Sequence, residues 1–165
     1  MHVKPDRELQ HFIFIANSVA VSDMKVVSPA RIAERLFQAA FWAFTEGAPL
    51  RAKLAPGDRV LIYLAGSAHR EFVAKAIVKS EAAPLTEYQE RVLGEIGIPF
   101  FYYGVVLENI QVFPEPVKIR PLVDRLSFIK EKKNYGLHLR LPIVRISDED
   151  YTLLTTRVHD DSLQQ

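Results

Sequence analysis

Cysteine is absent from all 165 residues. Disulfides, thiolate zinc sites and cysteine nucleophiles are therefore excluded, and a metal would have to be held by histidine or carboxylate. The five histidines, His2, His11, His69, His138 and His159, show neither His-x-x-x-His nor His-Glu-x-x-His spacing, so no metal site is expected. The Gly-x-Ser-x-Gly elbow, the Gly-x-x-x-x-Gly-Lys loop and the EF-hand loop are also missing, which argues against the common nucleophile, nucleotide and calcium chemistries. No cofactor and no catalytic residue is expected from such motifs. Long hydrophobic runs are lacking too. Phe12 to Val21 imitates a signal-peptide core, with Ser18-Val19-Ala20 as a mock cleavage site, but Asn17 and Ser18 interrupt it and Asp6 and Glu8 offset Lys4 and Arg7. Nothing approaches the ~20 apolar residues of a membrane span. A soluble cytoplasmic protein with no membrane partner is the expectation, in keeping with the lack of cysteine.

What is present suits one globular domain over residues 1–165, with 160–165 as a frayed tail. Hydrophobic residues make up 48% and charged residues 25%, and mean hydropathy is +0.01. The net charge of +1 is unevenly spread: residues 1–117 carry 12 basic and 13 acidic side chains, residues 118–145 carry 8 and 2, and residues 146–165 carry 1 and 5. A basic block in an otherwise neutral chain points to a local anionic partner, or else to a solvated surface.

Residues 11–15 read as a buried strand. Ser28 and Pro29 are suited to N-cap and first helical position, and Ile32, Leu36, Phe37, Ala40, Phe41 and Phe44 then fall on one face at helical spacing. Trp42, the only tryptophan, lies off that face; either the helix has ended before it or it points away from the core. Pro56-Gly57-Asp58 is a turn leading into a strand at 59–64, Gly66 to His69 is a hairpin tip, and the return strand runs over 71–79. Thr86 and Gln89 form a capping box for a helix ending near Gly94 or Gly97. Phe100 to Val112 is a long strand that Pro114 and Pro116 break before a short one at 117–119. Ser147 and Asp150 open a last short helix through Leu154. Five or six short strands with interspersed helices define an α+β, barrel-like domain rather than a doubly wound sheet.

The chemistry-bearing feature is the basic block with aromatics inside it, Phe128 to Tyr135, together with Trp42, Phe44 and Tyr63. Aromatic faces stack on bases, Lys and Arg contact phosphates, and Asn reads base edges. The alternative, in which Phe44 and Phe128 are core, Tyr63 is a strand residue with a surface hydroxyl and the lysines are merely solvated, stays open from the residues alone.

The chain resembles the EVE domain family of the PUA-like superfold, whose relatives include YTH and ASCH domains. The resemblance rests on LAPGDRVLIY at 54–63, on IRPLVDRLSFIKEKKNY at 119–135, which is similar to the family's Leu-x-Phe-Ile-x-Asn-Lys-Lys-x-Trp pattern, and on RISDEDY at 145–151. Asn17 and Ser18 match a polar segment after the family's first strand, and Trp42-Ala43-Phe44 its Trp-Gly-Val. Ala43 replaces the glycine, Tyr135 replaces the tryptophan, and the helix from Pro29 is longer than in many members. The resemblance implies a small PUA-like β-barrel with flanking helices, whose pocket receives a modified base flipped from DNA or RNA. Carried onto this chain, Trp42, Phe44, Tyr63 and Tyr135 are the aromatic pocket, Asn17 and Ser18 its edge readers, and Lys130, Lys132, Lys133 and Arg140 the phosphate-binding rim. Two alternatives are weighed beside it. One is an ASCH-like hydrolase of RNA or an acylated nucleoside, which needs a lysine beside a carboxylate. The other is a protein-interaction adaptor using the helix over 29–44, which needs its apolar stripe exposed.

Overall fold

The structure, a computed structural model, describes residues 8–98 and 100–163, with side chains up to residue 156. His2, the side chain of His159 and the last two residues of the expected frayed tail lie outside the described residues. In chain order the elements are β1 (His11–Ala16), β2 (Val19–Ser22), β3 (Lys25–Val27), α1 (Pro29–Ala39), β4 (Phe41–Phe44), β5 (Arg59–Leu64), β6 (Glu71–Val78), β7 (Ala83–Pro84), α2 (Glu87–Glu95), β8 (Tyr103–Lys118), β9 (Ile143–Ile146) and α3 (Asp148–Leu163). Three 3-10 turns cover Arg51–Lys53, Arg120–Arg125 and Tyr135–Leu139. The main sheet has the order β4-β8-β6-β5-β1-β9 with β7 also on β8, and β2–β3 is a separate hairpin. It is a mixed α+β half-barrel.

β1 and β5 run parallel at its centre, from His11 opposite Arg59 to Ala16 opposite Leu64. Strands covered on both faces are apolar throughout instead of alternating, and all six residues of β1 are buried. The pleat divides them between two cores. Phe12, Phe14, Val60 and Ile62 face α1 and α2 through Ile32, Leu36, Val92 and Leu93. Ile13, Ile15, Leu61 and Tyr63 face the 3-10 turns and α3 through Leu122, Leu126, Leu139 and Leu154. Each large apolar side chain so buried stabilises the fold by ~1.5–3 kcal/mol.

Helix α1 starts as its sequence indicates, with Ser28 Oγ accepting from the Arg31 amide at 3.1 Å and Pro29 in the first turn. It stops earlier than the apolar spacing over 29–44 suggests. Ala40 takes φ 56°, reversing the chain, and Phe41–Phe44 become β4, paired with β8 from Phe41 opposite Val106 to Phe44 opposite Tyr103. Aromatic side chains favour the pleated, half-buried surface of a sheet over a helix when a partner strand is available. Of the stripe Ile32, Leu36, Phe37 and Phe41, Phe37 alone is half-buried and the other three are buried, so the exposed apolar stripe required of an adaptor is not there.

The strand interrupted at Pro114 is instead continuous to Lys118. Between Ala74 opposite Val112 and Phe72 opposite Val117 the register shifts, and both prolines fall in this irregular stretch. No ladder hydrogen bond is asked of them there, which is where a sheet tolerates proline. α3 likewise runs past Leu154. Ser147 Oγ accepts from the Asp150 amide at 3.0 Å, but the Asp150 carboxylate turns to another part of the chain.

Candidate functional site

The parallel pairing of β1 with β5 brings the ends of both strands to one edge, where the Ala65 amide donates to the Ala16 carbonyl at 2.9 Å. Asn17, the β5–β6 hairpin and the 3-10 turn at Tyr135–Leu139 meet there around a cleft of about 400 Å³. Ala65, Gly66 and Arg70 form one wall above Tyr63; Lys133, Asn134, Tyr135, Gly136, Leu139 and Arg140 form the other. The hairpin turns tightly enough to need positive φ at Gly66 (98°) and at Arg70 (50°). Its far side is tied down by Lys118 Nζ, 2.6 Å from Glu71 Oε1 and donating to the His69 carbonyl at 3.1 Å.

The basic segment that supplies the second wall has three anchors. Asp150, 2% exposed, accepts from Ser127 N at 2.9 Å, Ser127 Oγ at 2.8 Å and Phe128 N at 3.1 Å. Lys132 Nζ donates to the carbonyls of Val123 at 3.0 Å and Leu126 at 2.9 Å. His138 Nε2 accepts from the amides of Lys130 at 3.2 Å and Glu131 at 2.9 Å, which assigns its proton to Nδ1. Loop segments gain positional precision only when their polar groups are fixed in this way.

Tyr63 forms the floor, its ring 4.9 Å from that of Phe72. Burial pushes its phenol pKa up, the nearby Tyr135 adds to this, and Arg70 opposes it. Tyr135 is half-buried, and its hydroxyl is buried with no hydrogen-bond partner among the described residues. The lining carries three cations, Arg70, Lys133 and Arg140, and no carboxylate. Asn17 and Asn134 supply the amides.

Of the residues assigned from sequence, the structure brings together Asn17, Tyr63, Lys133, Tyr135 and Arg140. Ser18 is exposed beside Asn17 but is not part of the lining. Trp42 and Phe44 lie in the other core, Trp42 with its ring 6.2 Å from Phe14 and 6.1 Å from Phe37, and Phe44 edge-on to Phe14 at 5.1 Å. The helical spacing that set Trp42 apart from a core stripe does not apply to a strand, and its side chain is 3% exposed. Lys130 is exposed away from the lining, and Lys132 is committed to carbonyls. Sequence reasoning missed Arg70 and Asn134. Asn134 sits inside the basic block and was within reach of the same argument; Arg70 follows an unremarkable hairpin tip and carries no signal of its own. The lysine and carboxylate that a hydrolase needs do meet in Lys118 and Glu71, but neither lines the cleft. Among the described residues no cluster of three His, Asp or Glu could hold a metal ion, and no helix is long and apolar enough to cross a membrane.

This half-barrel with a cleft at the ends of its parallel strands places the chain among PUA-like domains. The EVE domain model matches residues 38–157, and the chain belongs to that family. UPF0310 protein msl3206 of Mesorhizobium japonicum is 32% identical to it over 113 residues, 66% of this chain and 71% of that protein. Two solved structures share the fold at low identity. The YTH domain of Zygosaccharomyces rouxii MRB1 protein, in complex with N6-methyladenosine RNA, aligns with a TM-score of 0.58 and 13% identity, covering 96% of this chain and 90% of that one. Human THYN1 protein, in complex with 5-methylcytosine-containing DNA, aligns with a TM-score of 0.58 and 14% identity, covering 90% and 97%.

Proposed function

We propose that the chain is a nucleic-acid-binding module whose cleft receives a modified base of DNA or RNA. The observation that carries the reading is the convergence of a buried, unpartnered Tyr135 hydroxyl, the Tyr63 floor and the Asn17 and Asn134 amides beneath a rim of three cations. A base held out of its stack needs an apolar or aromatic wall, hydrogen-bonding groups for its edge, and cations for the flanking phosphates. The methylated-nucleic-acid complexes of the YTH and THYN1 neighbours lend the reading support of the same kind. Trp42 and Phe44 have no part in it, because they complete the core on the other side of the sheet.

The test is fluorescence anisotropy with 12-nucleotide DNA and RNA strands that are unmodified, or carry one 5-methylcytosine or one N6-methyladenosine. The modified strand that the cleft accepts binds tighter than its unmodified counterpart, and because loss of an aromatic stacking partner costs ~1–3 kcal/mol per base, Tyr135→Ala weakens that strand by about tenfold and removes most of the difference. Tyr135→Phe separates hydroxyl from ring. It raises stability by about 1 kcal/mol, because a buried unpaired hydroxyl is removed, while weakening the modified strand. Equal binding of all strands by wild type, unaltered in Tyr135→Ala, sinks the reading.

A further inference from the structure

A second groove opens on the same face of the sheet at the opposite end of β5. Alternate residues of a strand share a face, so Arg59, Leu61 and Tyr63 point the same way. Tyr63 lies under the first cleft, Leu61 is covered by the second core, and Arg59 lines a groove of about 340 Å³. The two openings are thus about 13 Å apart along the strand, at ~3.3 Å per residue. Lys75 of β6, Asn109 and Gln111 of β8, and Thr152 of α3 surround Arg59, and the Tyr151 side chain closes the base.

Two properties of this groove call for an anion. Arg59 pairs with Ile77 and Leu61 with Lys75, so Arg59 and Lys75 are diagonal cross-strand neighbours at about 7–8 Å, which concentrates two positive charges on one concave face. Among the described residues no carboxylate stands within ion-pair distance of either, and the groove's lining has none. Of the three acids that precede Tyr151, Asp148 lies beside His11 at 3.3 Å, Asp150 is held by Ser127 and Phe128, and Glu149 is exposed outside the lining. The second property is a break in the ladder. The β6–β8 register shifts between Lys75 opposite Gln111 and Ile77 opposite Glu108, and Asn109 within that bulge adopts φ 56°. Bulges re-aim side chains beside functional sites, and asparagine is among the few residues that enter the left-handed region readily. The result is an amide beside two cations in a concave surface, the donor set that recognises phosphate oxygens.

We propose that this groove is a second phosphate site, which takes a backbone phosphate of the nucleic acid whose base enters the first cleft. It rests on the reading of that cleft for its partner, and on its own residues for its chemistry. With the same 12-nucleotide strands in a salt titration, Lys75→Glu and, independently, Asn109→Asp weaken modified and unmodified strands alike by at least threefold. They leave the ratio between the two strands unchanged. Lys75→Glu also flattens the dependence of log affinity on log salt by ~0.7, because one phosphate is no longer neutralised. Both variants keep the fold, since the new carboxylate faces Arg59, and circular dichroism checks this. Unchanged affinity and slope in both variants overturns the proposal. So does a result in which inorganic phosphate shifts the amide resonances of residues 75, 109 and 111 but the oligonucleotide does not, because the groove would then serve a small phosphate ligand. Weaker binding by the groove variants without any preference for modified strands leaves the second site standing and removes the base reading of the first cleft.

Discussion

Lys132 and Lys133 are adjacent, identical in type and equally plausible as phosphate contacts in the sequence, yet the structure gives them separate tasks. Lys132 Nζ closes a turn by donating to Val123 and Leu126, whereas Lys133 lines the cleft. Lys132→Ala is expected to lower stability by about 1 kcal/mol, since it removes two charge-assisted hydrogen bonds at a partly exposed site, and to leave the salt dependence of nucleic-acid binding as it was. Lys133→Ala is expected to do the reverse, flattening that dependence by ~0.7 on a single strand with no change in the urea midpoint. Measuring both quantities on both variants checks the assignment; matching losses would refute it. The charge of the basic block was legible from its composition, but which lysine faces outward depends on where carbonyls from residues 123 and 126 end up. Trp42 teaches the same lesson, because its place followed from a helix or strand decision that tertiary pairing with β8 made.

At the scale of elements, local signals that carry their own hydrogen bonds were the readable ones. The capping box of α2 closes in both directions, Gln89 N to Thr86 Oγ1 at 3.1 Å and Thr86 N to Gln89 Oε1 at 3.0 Å. The turn before β5 is another. Gly57 takes φ 96° while its amide donates to the Val78 carbonyl at 2.8 Å, and the neighbouring Asp58 carboxylate accepts from the Ala55 amide at 2.9 Å. Gly57→Val is therefore expected to destabilise the protein by more than about 1 kcal/mol, since a β-branched residue resists that backbone region. A thermal melt at the parental temperature would contradict this. Strands β4, β7 and β9 escaped the sequence because each is four residues or fewer and exists only through the ladder of a distant partner. The length of β8 escaped for the opposite reason, since its prolines look like breakers until the irregular register absorbs them.

For the molecule as a whole, His11 joins the first strand to the last helix. It is 7% exposed, its ring lies 4.9 Å from that of Tyr151, and Nε2 is 3.3 Å from Asp148 Oδ1 without hydrogen-bond geometry. Burial lowers its pKa below the ordinary histidine value, and the Asp148 carboxylate only partly opposes this. The folded chain thus binds this proton less readily than the unfolded chain does. Its contribution to stability is complete above that ordinary value, about 6.5, and is lost as the pH falls below it. The denaturation midpoint should drop between pH 7.5 and 5.5, and His11→Gln should flatten that drop; parallel pH profiles for the two proteins would count against it. The same junction has a consequence in time. β1 takes one neighbour from residues 59–64 and the other from residues 143–146, so its ladder closes only after residue 146 has left the ribosome, about 80 residues behind its first partner. At ~5–20 residues per second the interval is on the order of ten seconds, during which the five consecutive apolar residues of β1 await their second partner. An incompletely covered strand is a template for misplaced pairing, so the newborn chain is most vulnerable to aggregation, and most in need of a chaperone, in the moments before its last strand arrives.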